Sequence, residues 1–75
     1  MLNPNEYNLS RSDWEHLIDE YIFSERDRKI VKRKLLDDIT FERLAEEFEL
    51  SDRHTKNIIY NANNQLLKCI KTSQN

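Results

Sequence analysis

Apolar residues recur every three or four positions along the chain, and this α-helical spacing breaks into four segments. The first predicted helix begins near Ser10 or Ser12, with Ser12 as the expected N-cap, and ends at about Phe23. The second follows Ser24, which opens a sequence resembling a capping box, and ends at about Leu36. The side chains expected to be buried in these two helices are Trp14, Leu17, Ile18, Tyr21, Ile30, Val31 and Leu35.

A short third helix and a longer fourth helix follow. Thr40 is the expected cap of the third helix, which runs from Phe41 to about Phe48, and Ser51 is the expected cap of the fourth. A short helix, a tight turn and a longer helix are typical of a helix-turn-helix, which the pattern places at residues 40–67. The further positions expected to be buried are Phe41, Leu44, Ala45, Phe48, Thr55, Ile58, Ile59, Ala62, Leu66 and Ile70.

Composition extends the helical interpretation to the whole chain. The 75 residues contain no glycine, and the only proline is Pro4, so the residues that most strongly interrupt helices are missing from the rest. We therefore predict an all-α, four-helix helix-turn-helix domain, built from an N-terminal helix and a trihelical core. One domain is expected at 10–70, between a flexible N-terminus at 1–9 and a flexible tail at 71–75.

Charge is balanced overall but uneven along the chain. The formal net charge is -2, yet residues 51–75 carry four bases and one acid. A single cysteine excludes an internal disulfide and suits a reducing compartment, and no apolar run has the length of a membrane span. The first residues also lack the pattern of a secretory signal, so a cytoplasmic location without membrane contact is expected.

Chemistry-bearing residues give no sign of an enzyme. His16, His54 and Cys69 lack the paired spacing of zinc sites, and a chain without glycine has no glycine-rich phosphate loop. So small a chain is also poorly suited to enclosing a substrate pocket. We expect no catalytic activity, metal, cofactor or small-molecule substrate.

The segment from Phe41 to Ile59, FERLAEEFELSDRHTKNII, resembles a known motif. It is similar to the helix-turn-helix of the C-terminal, promoter-reading domain of bacterial sigma factors, their fourth conserved region. Ala45 falls at the family's small residue where the two helices cross, Leu50 at the apolar plug of the turn and Ser51 at the N-cap of the recognition helix. The family's buried positions are matched by Leu44, Phe48 and Ile58. The preceding stretch, residues 24–40, also resembles the family's preceding helix.

Two residues depart from the family pattern. Glu49 stands where the family turn has glycine, a position that commonly needs positive φ. Thr55 stands where valine is usual, and its hydroxyl is expected to bond to a carbonyl one turn earlier. The polymerase-binding and DNA-melting parts of a sigma factor have no counterpart in this sequence, so the resemblance implies an accessory factor of bacterial or phage type.

The exposed face of the fourth helix supplies the candidate DNA contacts, because the first residues of a recognition helix reach base edges. These candidates are Ser51, Asp52, Arg53, Lys56, Asn57, Tyr60 and Asn61, followed by Asn63 and Asn64. Arg53 or Lys56 is suited to guanine and Asn57 to adenine, and Lys56 is equally suited to a phosphate. The basic second helix is a candidate for phosphate contact. Lys32 and Arg33 are the preferred residues, and its other bases are Arg28, Lys29 and Lys34.

The expected function is a transcription regulator or sigma-like accessory factor that binds double-stranded DNA in the major groove. One alternative keeps the fold but docks on RNA polymerase or another regulator through acidic residues of the first and third helices. Another is an accessory protein for phage DNA packaging or recombination. The pattern fits a monomer as well as a homodimer.

Overall fold

The computed structural model describes residues 9–73, with side chains described as far as residue 70, and this part of the chain folds into four helices. They are α1 (Arg11–Tyr21), α2 (Glu25–Asp37), α3 (Phe41–Glu47) and α4 (Asp52–Ser73), and no strand occurs in the described part. The all-α prediction is confirmed. The segment expected to be a flexible N-terminus lies, apart from Leu9, outside the described residues.

Hydroxyl side chains cap all four helices. The side chain of Ser10, not Ser12, caps α1, because Asp13 completes a reciprocal pair with it: each side chain accepts the other residue's backbone N–H at 3.1 Å. The expected N-cap at Ser12 is therefore wrong by two residues. The three other caps are confirmed by bonds from the backbone N–H three residues later, at 3.4 Å for Ser24, 3.2 Å for Thr40 and 3.0 Å for Ser51.

The core lies along one face of α4, which contacts each of the other three helices. The structure confirms the buried positions predicted on α2 and the six predicted on α4. It also confirms the burial of Leu44 and Ala45 on α3. Leu17, Phe41 and Phe48 are half-buried. Tyr21 corrects the prediction, since its side chain is 44% exposed and Ile22 is buried in its place. The reason is that α1 ends at Tyr21. The backbone of Ile22 is extended, and this conformation directs the Ile22 side chain into the core.

The turn between α3 and α4 contains the left-handed residue expected from the sequence. Glu49 has φ of 55°, and the next residue, Leu50, donates its N–H to the carbonyl of Ala45 at 2.8 Å. A second left-handed residue, Asp38, ends α2 with the same φ of 55°. Aspartate tolerates this conformation better than glutamate, because its short side chain bonds locally. Backbone strain is therefore expected mainly at Glu49.

Two polar side chains of α4 are buried. The hydroxyl of Thr55 donates to the carbonyl of Ser51 at 3.0 Å, which confirms the bond expected from the sequence. Asn63 is only 4% exposed, and neither its amide nitrogen nor its amide oxygen has a hydrogen-bond partner among the described residues. The placement of Asn63 on the exposed polar face is wrong, because it falls between Ile59 and Leu66 on the packed side of the helix.

The end of α4 at Ser73 lies three residues beyond the end expected at Ile70. Within the described residues, no helix combines the length and the apolar character that crossing a bilayer requires.

Asn63→Leu is expected to raise the free energy of unfolding by about 1–2 kcal/mol, because a buried amide without partners is replaced by an apolar group. The control is Asn64→Leu, which makes the same change in helix propensity at an exposed position and is expected to alter stability by less than about 0.5 kcal/mol. Urea unfolding followed by circular dichroism measures both. Equal effects of the two variants would contradict the prediction.

Glu49→Gly is expected to raise the free energy of unfolding by about 1 kcal/mol, because glycine adopts positive φ without the clash of a Cβ atom. Glu46→Gly, at an exposed position inside α3, is expected to lower it by a similar amount. Thermal and urea unfolding compare the two. A loss of stability in both variants would show that the left-handed turn carries no strain.

Candidate nucleic-acid interface

The N-terminal half of α4 presents a continuous exposed face. All seven candidates near the start of this helix are exposed: Ser51, Asp52, Arg53, Lys56, Asn57, Tyr60 and Asn61. An α-helix turns by about 100° per residue, so Arg53, Asn57 and Tyr60 follow one line along this face. Lys56 and Asn61 lie on opposite sides of that line. The face therefore has two flanks, and each meets a different part of the protein.

The first flank is a cluster of two lysines around an aromatic ring, here named the Phe41 cluster. The Nζ atoms of Lys34 and Lys56 lie 4.4 Å and 5.8 Å from the centre of the Phe41 ring, and the Tyr60 ring meets the same ring edge-on at a centroid distance of 6.2 Å. The cluster joins α2, α3 and α4. Cations over an aromatic face are attracted by its negative quadrupole, which holds both ammonium groups beside the exposed face of α4.

Neither lysine of this cluster forms an ion pair with a carboxylate in the described part of the chain. Two ammonium groups from different helices therefore lie within 6 Å of the centre of one ring, and neither has a carboxylate partner among the described residues. Unpaired cations raise the local positive potential, which favours an anion such as a phosphate group. Sequence reasoning grouped Lys34 with the other bases of the second helix but did not select it, because its position depends on Phe41 from the next helix.

Lys32 and Arg33, the residues selected for phosphate contact, are paired with carboxylates inside the protein. Nζ of Lys32 lies 2.7 Å from Asp19 of α1, and Nη2 of Arg33 lies 2.8 Å from Glu47 of α3. The hydrogen bond from Lys32 lowers the pKa of Asp19 below its ordinary value of 3.8. These two cations connect α2 to its neighbours, and the structure does not bring them to the Phe41 cluster.

The second flank is a groove of about 540 Å³ between α4 and the segment that links α1 to α2. Asn57 and Asn61 line its α4 side together with Gln65, and Phe23 lines the opposite side. The Phe23 side chain is 90% exposed, the highest exposure among the large apolar residues described. Sequence reasoning missed Phe23, because it was taken as the last residue of the first helix and no local pattern marks an aromatic residue as exposed.

The acidic residues of α3 lie on a surface of their own. Glu42 and Glu46 are exposed and line a shallow depression with Thr40 and Arg43. Neither glutamate forms an ion pair within residues 9–73. Among the described residues there is also no group of three histidine, cysteine or acidic side chains placed to hold a metal ion.

No family model, curated protein or solved structure matches this chain. The similarity of residues 41–59 to the sigma-factor motif thus depends on the quoted residues alone.

The pairing of Lys32 with Asp19 predicts a measurable pKa change. Lys32→Gln is expected to raise the Asp19 pKa toward its ordinary value, because the ammonium group that stabilises the carboxylate is removed. Lys29→Gln, which removes an exposed lysine of the same helix, is the control and leaves the Asp19 pKa low. A carboxyl-detected NMR titration measures it. An ordinary Asp19 pKa in the unmodified protein would show that Lys32 is available to other partners.

Proposed function

We propose that this chain binds double-stranded DNA, as a transcription regulator or sigma-like accessory factor, with the exposed face of α4 in the major groove. The observation that carries the proposal is the Phe41 cluster, in which Lys34 and Lys56 each lie against the Phe41 ring without a carboxylate partner. A reading helix flanked by uncompensated cations is the arrangement that places base contacts and phosphate contacts side by side.

The dimensions of the surface support this assignment. The major groove of B-form DNA is about 12 Å wide and admits one α-helix, whose first residues reach the base edges. On α4 those residues are Arg53 and Asn57, with donors suited to guanine and adenine. Lys34 and Lys56 then lie at the edge of the helix, where a sugar–phosphate strand passes.

The distribution of acids reconciles DNA binding with the net charge of -2. Ion pairs within the protein engage Asp19 and Glu47, as described above, and also Asp37, which lies 3.0 Å from Arg11 of α1. Glu42 and Glu46 lie on α3, outside the Phe41 cluster. These acids are thus paired with bases or lie on another surface, and on the exposed face of α4 the acid Asp52 is outnumbered by Arg53 and Lys56.

The packing of the helix pair adds support. Ala45 and Ile58 are buried where the resemblance places the helix crossing and the docking residue of the recognition helix. Ser51 caps α4, also as the resemblance implies. These contacts hold α4 rigidly, and a rigid reading helix loses little entropy when it binds.

The test is fluorescence anisotropy of a labelled random-sequence duplex titrated with the full chain at several salt concentrations. We expect a dissociation constant in the range of about 1–100 μM that weakens steeply as salt rises, because cations released from phosphates drive the binding. Absence of binding at low salt would overturn the proposal.

Lys34→Gln and Lys56→Gln are each expected to reduce the slope of log K against log salt by about 1, because each removes one phosphate contact. Lys29→Gln makes the same charge change at an exposed position of α2 outside the Phe41 cluster and is expected to leave the slope within about 0.3 of the original. Equal slopes for all three variants would show that the Phe41 cluster does not contact phosphate.

The acidic surface of α3 favours a second candidate function, docking on a basic site of RNA polymerase or of another regulator. Exposed Glu42 and Glu46 without ion pairs are suited to such a partner. A pull-down with purified RNA polymerase tests it: capture that is lost in the Glu42→Lys, Glu46→Lys double variant supports docking, and capture that persists contradicts it.

A further inference from the structure

The groove beside α4 is bounded by an aromatic residue that the fold holds in place. Ile22 is buried and donates its N–H to Ile18 at 2.9 Å, while its carbonyl accepts a hydrogen bond from the Arg28 guanidinium. On the other side, Ser24 caps α2. Phe23 lies between these two anchored residues and is 90% exposed. Single exposed apolar residues are common, but the backbone of this one lies between two anchored residues and its side chain lines a groove.

The opposite side of the groove is a row of amides. Asn57, Asn61 and Gln65 follow one another at intervals of four residues, so they lie on the same side of α4. Asn57 and Asn61 also belong to the exposed face assigned to base contacts. The groove is therefore continuous with that face.

The charged side chains of the groove neutralise one another. Nε and Nη2 of Arg26 both lie 3.1 Å from the same carboxylate oxygen of Asp27. Arginine is the usual reader of guanine and carboxylates accept from cytosine, so this pairing engages the groups that would favour a G·C pair. Beside this ion pair, the groove presents the His54 imidazole, a row of primary amides and an aromatic face to a ligand.

We propose that this groove recognises an A·T base pair, with the Asn57 or Asn61 amide bonded to adenine and Phe23 in contact with the C5-methyl group of thymine. Amides pair bidentately with adenine, and apolar side chains contact the thymine methyl in the major groove. This inference rests on the proposed function and deepens it, since it specifies which base pair the second flank of α4 reads.

The experiment removes that methyl group alone. The full chain first selects a preferred duplex from a random library, and each thymine of that duplex is then replaced in turn by deoxyuridine. We expect one such replacement to weaken binding about fourfold, the effect of one buried methyl group. In Phe23→Ala the same replacement is expected to have no effect. Tyr21→Ala removes an exposed aromatic residue outside the groove and is expected to keep the fourfold sensitivity.

The possible failures are distinguishable. Two results overturn the A·T assignment and leave DNA binding in place. In the first, no thymine replacement in the selected site changes the affinity. In the second, the replacement weakens binding equally in the unmodified protein and in Phe23→Ala. A selected site without A·T pairs does the same. Absence of any duplex binding overturns the proposed function together with this inference, and the amide row and Phe23 then point to a peptide as the occupant of the groove.

Discussion

The burial of one face of α4 against all three other helices is the interaction on which the rest of this structure depends. A chain of 75 residues buries a smaller share of its surface than a larger domain does, about 60%, so it cannot spread its core over several independent contacts. Ile59 and Leu66, both fully buried, anchor this shared face. Once one face of α4 is buried, the helical repeat determines which of its side chains are exposed. The packing that stabilises the domain therefore also exposes Arg53, Asn57 and Tyr60 along one line of a rigid helix.

Features governed by neighbours in the chain could be predicted from the sequence. The caps at Ser24, Thr40 and Ser51 follow from a hydroxyl placed before a helical stretch, and the hydroxyl of Thr55 has a carbonyl within reach one turn earlier. The positive φ of Glu49 agrees with its match to the glycine position of the resembled turn. The cap of α1 shows how fine such local differences are. Ser10, and not Ser12, lies three residues before Asp13, so only Ser10 forms a reciprocal cap with it.

Features governed by contacts between helices could not be predicted. The burial of Asn63 depends on how far neighbouring helices extend around α4, and the pairing of Lys32 and Arg33 depends on which carboxylates face α2. The same contacts decide the candidate site. The cations of α2 that pair with a carboxylate, Lys32 and Arg33, connect this helix to its neighbours. Lys34 instead lies over the ring of Phe41, and its positive charge has no carboxylate partner in the described part of the chain. A basic helix in a sequence thus does not reveal which of its charges are available to a partner.

The most direct test of this account is an amide chemical-shift titration of the full chain with a short random-sequence duplex at low salt. The account predicts that the largest shifts occur at residues 53–61 of α4, at Lys34 and at Phe23, with little change at Glu42 and Glu46 on α3. Shifts confined to α3, or an unchanged spectrum at a severalfold excess of duplex, would contradict the claim that the exposed face of α4 and its flanks bind DNA.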